Sequence, residues 1–559
     1  MVRLQTMSLM QFNSGQVRGG QRGGQRAGRV NTLWVMLLGC AVLIGTLMFL
    51  MSVGPPGPDT DRQPLVVYAA AGMRVPVEEI AQQYESEFGV TLEIQYNGSN
   101  TLLNQMQTDK FGNTDVYLAA DDFYTNKAIE LGLATDTIPV AHQRPVIAVR
   151  KDSDKKIESF RDLLREDVRV AVANPDQAAI GKATRRQLAA LESGESNCWE
   201  LLEKRVTASG VFKPTVNDIA TDVQIGTIDA AIVWNSTVAM PKYSEDLKGI
   251  PIPELDGDPD LISVAVLHSS SSLPSAYHFA RYVAARDKGL PIFSKYGTDV
   301  VEGDVWEDEP QVNFFCGAVN RLTTEEILED FQAQEGVVVN TIYDGCGILT
   351  SRMQGIEGQK QSLGFPDVYM ACDVYYLQNV ESWFQEATNV SDVFLVIAVP
   401  KGSTKVQSLE DLVKPDVRVA VGEPSQCTIG ALTRRLLQAE GLYEQFVEKQ
   451  KQTDTVTVVE KSSSAHLVPD VVTGHVDAAI AYVTDVLPNE DDVGIIRIES
   501  PMTLAVQPIS IAKTSDHKYL LRRLFKRIAR SPEAFESLGF HFRLGDEDAD
   551  GGDTGSETP

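Results

Sequence analysis

The chain has 559 residues, 43% hydrophobic and 23% charged, and 50 Lys and Arg stand against 77 Asp and Glu for a net charge of −27. That balance describes a globular body. It excludes nucleic acid as a partner, since no basic field is available to neutralise phosphates. It does not exclude a small anion, which a buried pocket can hold with neutral N–H and hydroxyl donors.

Residues 1–29 are rich in Gly, Gln and Arg, carry no acidic residue and read as a basic disordered segment. Leu33 to Val53 is an uncharged apolar run long enough to span a bilayer. It predicts a transmembrane anchor over 30–54, with the basic flank inside and the body outside the cytoplasmic membrane. A cleaved signal peptide and a lipoprotein box at Leu37-Leu38-Gly39-Cys40 are the rival readings. The Pro- and Gly-rich stretch 55–64 reads as a stiff linker.

From Leu65, strands and helices alternate. LVVYAAAG reads as a buried strand, and Pro76 fits the first turn of the next helix. Ile80, Ala81, Tyr84 and Phe88 share a helical face that Gly89 ends. TLEIQY is the next strand, and NGSNTLLNQM opens the next helix. DVYLAAD, PVIAV and GTIDAAIVW are further strands. Alternation of this kind argues for an α/β body with largely parallel sheets. Ligands then sit beyond the carboxyl ends of the strands.

The stretch Asp167 to Leu188, DVRVAVANPDQAAIGKATRRQL, returns as Asp416 to Leu437, DVRVAVGEPSQCTIGALTRRLL, with 14 of 22 positions identical. Each copy is a strand, a polar loop and a helix start, a corner whose first-turn N–H groups can accept an anion. The rest of the unit recurs in the same order. DGCGILTSRMQ follows NGSNTLLNQMQ, DVYMACD follows DVYLAAD, and GHVDAAIAY follows GTIDAAIVW. In the second copy, Thr323 and Glu326 fit a capping box. Asp121 and Asp373, each after its third strand, read as helix caps. The repeat predicts modules over 65–308 and 309–545, followed by an acidic disordered tail over 546–559.

This order of motifs, with NPDQAAIGKA and DAAIAYVTD, resembles the type II periplasmic binding proteins, and within them the molybdate/tungstate-binding subunit of ABC importers. The resemblance covers both units. It implies an α/β fold of two tandem modules, each of two lobes with a hinge and an interlobe cleft, behind the transmembrane helix. It also implies an oxyanion held by hydroxyls, backbone N–H groups and one tyrosine. Carried over by position, the first-loop serine falls at Gly72 and at Val319, neither of which has a hydroxyl. Two residues on, Arg74 and Arg321 offer a bidentate clamp or simply an exposed charge. The second-loop serine is Ser99 in the first unit and Cys346 in the second. Ala178, Ala179 and Cys427 supply the backbone donors across the cleft, and the tyrosine falls at Trp234 and Tyr482.

Cys316, Cys346, Cys372 and Cys427 lie in the second unit, where the first has Ala69, Ser99, Ala120 and Ala178. The fold does not require these thiols. Disulfides, plain packing and a soft-metal or thiophilic site are the alternatives. No nucleophile elbow, P-loop or dinucleotide fingerprint is present. The expectation is a non-enzymatic, cofactor-free, membrane-anchored binding protein for a molybdate-like oxyanion, partnered by an ABC permease. A sensor or scaffold of the same fold, or a thiol- or metal-binding second module, are the alternatives.

Overall fold

The computed structural model describes residues 63–108, 112–193, 196–356, 364–451 and 457–545. Residues 65–300 build two main sheets and a short two-stranded ribbon, Glu192–Ser193 with Ser196–Asn197. The first contains β1 (Leu65–Ala70), β2 (Leu92–Asn97), β3 (Thr114–Ala119) and β4 (Ala134–Gln143). The second contains β5 (Pro145–Arg150), β6 (Val170–Ala173), β7 (Val211–Lys213), β8 (Ala230–Trp234) and β9 (Leu247–Ile250). The chain then returns to the first sheet with β10 (Asp260–Leu267) and β11 (Asp299–Val300). Strand orders are β11-β4-β10-β3-β1-β2 and β9-β5-β8-β6-β7. The chain crosses between the sheets after β4 and after β9, so two strand connections act as the hinge between two lobes.

β1 pairs in parallel with β2 and β3, and β6 with β7 and β8. β10 runs antiparallel to β3 and β4, and β5 antiparallel to β8 and β9. The sheets expected to be largely parallel are therefore mixed. A strand returning from the other lobe enters its sheet from the opposite end.

α1 (Arg74–Phe88), α2 (Ser99–Thr108), α3 (Ala179–Ala189) and α4 (Val216–Gln224) follow the carboxyl ends of β1, β2, β6 and β7. α1 buries Val77, Ile80 and Tyr84 and stops where Gly89 turns left-handed at φ 67°. α5 (Leu273–Val283) closes this half.

The second half repeats the plan with β12 (Gln311–Gly317), β13 (Val338–Asp344), β14 (Val368–Met370), β15 (Phe384–Pro400), β16 (Val419–Gly422), β17 (Val458–Lys461), β18 (Ala478–Tyr482), β19 (Val493–Arg497) and β20 (Leu504–Ala512). Its helices include α6 (Arg321–Glu335), α7 (Cys346–Ile356), α8 (Thr428–Ala439) and α9 (Lys518–Ala529). Here one long strand, β15, pairs with β20 and then with β18, joining both lobes into the order β13-β12-β14-β20-β15-β18-β16-β17. Each half has its own hydrophobic core, one drawn from 65–296 and one from 312–540.

Two expectations are corrected. α6 begins at Arg321 rather than at a Thr323–Glu326 capping box: Thr323 sits inside the first turn, and its hydroxyl donates to the Asn320 carbonyl at 2.7 Å. The placement as a single-pass protein of the cytoplasmic membrane is also overturned. Among the described residues no helix is long and apolar enough to cross a membrane. The apolar run 33–53 that prompted it, the basic segment before it and the tail from 546 lie outside the described residues.

Candidate functional site

In the first half, the starts of α2, α3 and α4 meet in one cleft between the lobes. Its walls are Ala70, Ala71 and Gly72 at the end of β1, Asn97, Gly98 and Ser99 at the end of β2, and Ala120 after β3. Across from them stand Ala178, Ala179 and Ile180, then Thr215, Val216 and Trp234. No lining side chain is charged. The first-turn N–H groups of a helix lack intrahelical partners and carry partial positive charge, so three converging helix starts favour a negative guest.

The cleft is closed. Asn100 Nδ2 donates to the Asp176 carbonyl at 2.6 Å, and Asn217 Nδ2 to the Ala71 carbonyl at 2.6 Å, both across the lobes. A Cβ on Gly98 would lie 2.3 Å from the Gln177 carbonyl oxygen, so only glycine permits this approach. The remaining cavity is about 20 Å³. One water needs about 10–15 Å³ on this measure, so the closed form leaves little more than water-sized room.

Ser99 opens α2 and is buried. The Ala120 N–H donates to its Oγ at 3.3 Å, so the hydroxyl keeps its own proton for another partner. Gly72 is tightly approached: a Cβ there would lie 3.0 Å from Val216 Cγ1 and 3.9 Å from Trp234 Cδ1, so Val216 would have to give by a few tenths of an ångström. Trp234, at the end of β8, is buried against this loop. The structure thus brings Gly72, Ser99, Ala178, Ala179 and Trp234 together.

Arg74 does not join them. It is exposed, faces Glu78 at 4.0 Å and lies 4.5 Å over the Tyr96 ring. Arg321 repeats this with Glu325 at 3.2 Å and Tyr343 at 5.6 Å. Each arginine begins a helix, and its partner four residues on draws the guanidinium along the helix surface. The arginine clamp is therefore corrected.

The second cleft has the same frame with different chemistry. Val319, Cys346, Cys372, Cys427 and Tyr482 are buried. The lobes meet through Ile348 N–H to the Gln426 carbonyl at 3.1 Å. All five described cysteines are free. Cys346 Sγ lies 2.7 Å from Cys372 Sγ and accepts from the Cys372 N–H at 3.1 Å, repeating the Ser99–Ala120 contact with sulfur. Burial opposes ionisation of Cys346. The thiol and N–H of Cys372, hydrogen-bonded to it, and the nearby Thr428 and Tyr369 hydroxyls outweigh it and bring this thiol below its ordinary range. Burial and the neighbouring Cys346 hold Cys372 well above.

The four-thiol metal set is not assembled. Cys316 Sγ faces Thr324 Oγ1 at 4.0 Å, and Cys427 Sγ turns to the Glu423 and Lys461 carbonyls at 3.6 and 3.5 Å. Among the described residues no three His, Cys, Asp or Glu side chains are grouped to hold a metal ion.

Sequence reasoning missed Thr215, which caps α4 by accepting from the Asp218 N–H at 3.2 Å and lines the first cleft. Its Thr-x-x-Asp spacing was the available signal. It also missed a group beside the hinge, where Arg186 of one lobe lies 2.5 Å from Asp260 and 3.9 Å from Asp121. The expected helix-capping role of Asp121 holds, as does that of Asp373.

Two lobes on a double-strand hinge, with helix starts facing a small closed cleft, define a solute-binding clamp. The family described as bacterial extracellular solute-binding protein matches residues 65–299 and again 312–540, and the chain belongs to this family, in two tandem copies. A Haemophilus influenzae binding protein is 30% identical over 210 residues, 37% of this chain and 79% of that protein. The molybdate-binding protein of Mycobacterium bovis is 27% identical over 233 residues, 41% of this chain and 83% of the relative. Among solved structures, the Azotobacter vinelandii periplasmic molybdate-binding protein aligns at 16% identity, over 43% of this chain and 100% of its own, with a TM-score of 0.35.

Proposed function

We propose that the chain is a binding protein for a small tetrahedral oxyanion of the molybdate or tungstate class, delivering it to an ABC importer without transforming it. The binding modules are assigned to 65–308 and 309–545, and the anion to the cleft of the first. One observation carries this reading: three helix starts and the Ser99 hydroxyl surround a cavity of about 20 Å³ that no charged side chain lines. Neutral donors in a closed cleft suit a compact dianion, because they are fixed in place before it arrives and exclude water once it is bound. Ser99, the backbone at Ala178 and Ala179, and Trp234 are the assigned contacts, with Gly72 giving the close approach. The molybdate-binding relative supports the class of anion. The second cleft, with Cys346, Cys427 and Tyr482 at the matching positions, is not assigned an oxyanion.

Calorimetric titration of the protein with molybdate, tungstate, sulfate and phosphate tests the reading. The expected result is one saturable site, strongest for one of these anions and weakened by Ser99→Ala. Absence of heat with all four contradicts it.

A further inference from the structure

Where the first half has Ala70, the second has Gly317, and a Cβ at Gly317 would lie 2.3 Å from Cys372 Sγ and 2.8 Å from Cys346 Sγ. Where the first half has Ala173, the second has Gly422, and a Cβ there would lie 2.6 Å from Cys427 Sγ. The second cleft has thus lost a methyl group beside three of the four positions where it gained sulfur. Thiols dropped into an unchanged frame would clash; these have been accommodated. The Cys346–Cys372 pair sits where the first cleft has Ser99 and Ala120, two of its wall residues.

We propose that Cys346 and Cys372 are a reversible redox pair, whose closure to a disulfide switches the second cleft between a dithiol and a disulfide state. The sulfurs are 2.7 Å apart, against about 2.05 Å in a disulfide, so the bond forms with a small side-chain movement. The neighbours fit the chemistry. The Cys372 N–H, which donates to Cys346 Sγ at 3.1 Å, favours the Cys346 thiolate and makes Cys346 the attacking group. Its reaction partner is a small-molecule disulfide. The Cys346 thiolate attacks one sulfur of that reagent, breaks its S–S bond and releases one thiolate. Cys372 gives up its proton and attacks the Cys346 sulfur of the mixed disulfide, releasing the second thiolate. Two protein thiols lose two protons and two electrons, and the reagent disulfide becomes two thiols.

Both sulfurs are buried between the lobes, so the reagent reaches them only when the cleft opens. Oxidation therefore reports opening of the second clamp. Gly345 marks the contact that keeps it shut: a Cβ there would lie 2.5 Å from the Gln426 carbonyl oxygen and 2.7 Å from that of Ser462. This inference stands independently of the oxyanion reading of the first cleft.

The test is peptide mass mapping of the full chain after incubation with oxidised glutathione and alkylation of the remaining thiols under denaturing conditions. The expected product is a Cys346–Cys372 cross-linked peptide that dithiothreitol reverses and a chelator does not. Gly345→Ala should form it several-fold faster than the parent, and Cys316→Ser should still form it. The proposal is overturned if both thiols are alkylated in the parent and in Gly345→Ala alike. Cross-linking through Cys316 or Cys427 instead, or protection released by a chelator, also overturns it. An unchanged rate in Gly345→Ala removes the link to lobe opening.

Discussion

Glu335, at the end of α6, holds Arg523 of α9 through a two-pronged ion pair at 2.6 and 2.9 Å, with both side chains buried. Arg281 of α5, from the other half of the chain, approaches the same carboxylate at 3.5 Å and also donates to the Glu335 carbonyl. Nearby, Asp304 accepts from the N–H groups of Tyr519 and Leu520 at the start of α9, each at 2.9 Å. One buried carboxylate thus ties the two halves together.

Removing one partner of such a pair strands the other charge in the interior. Glu335→Ala should lower unfolding free energy by about 3–5 kcal/mol, measured by urea denaturation. Replacing Glu335 and Arg523 together by apolar residues of similar volume should cost less, with the remaining loss coming from Arg281, which still loses its carboxylate. Equal losses in the single and double variants would show that the ion pair is not the seat of the effect.

Closure of the first cleft rests on the absence of a side chain at Gly98. Gly98→Ala should hold the lobes apart and weaken anion binding by about tenfold or more, roughly 1.4 kcal/mol, in calorimetric titration. The second cleft shares no atom with this contact, so the rate of its thiol oxidation should not change.

Ser99→Ala removes the one hydroxyl assigned to the guest. The expected loss is about 1.5–3 kcal/mol, the range for a hydrogen bond to a charged group, and stability also falls, by about 1–3 kcal/mol, because the buried Ala120 N–H loses its acceptor. An unchanged affinity would assign the binding energy to the backbone alone.

Asp485, three residues beyond Tyr482, is half-buried with one carboxylate oxygen fully shielded, and desolvation pushes its carboxyl up to about 7. Its unfolded value is about 3.9. The folded state therefore binds the proton more tightly than the unfolded chain does, and stability falls as pH rises from about 4 to about 7 and then levels. The matching residue of the first half is Thr237, so a neutral side chain suits the site. Asp485→Asn should flatten that part of the stability profile, measured by denaturation at a series of pH values.

The repeat, the α/β alternation and the helix corners at Ala178 and Cys427 were legible because each is set by residues close together in sequence. Gly89 as a stop and Asp121 as a cap were legible for the same reason. Arg74 and Arg321 misled: a position near the ligand loop does not fix a direction, and Glu78 and Glu325 decide it from four residues away. The sulfur pair joins residues 26 apart, and the Arg186–Asp260 contact joins residues 74 apart. Neither separation has a periodic signature. The sheets read as parallel because each strand looks alike from within; only the return through the hinge reverses β10.

The most direct measurement is a crystal structure of the protein grown with tungstate, with the metal located by its anomalous scattering. The account predicts a tungsten peak in the first cleft, its oxygens within hydrogen-bonding reach of the Ser99 hydroxyl and the Ala179 N–H, and none between Cys346 and Cys427. Density confined to the second cleft, or an empty first cleft at saturating tungstate, would contradict it.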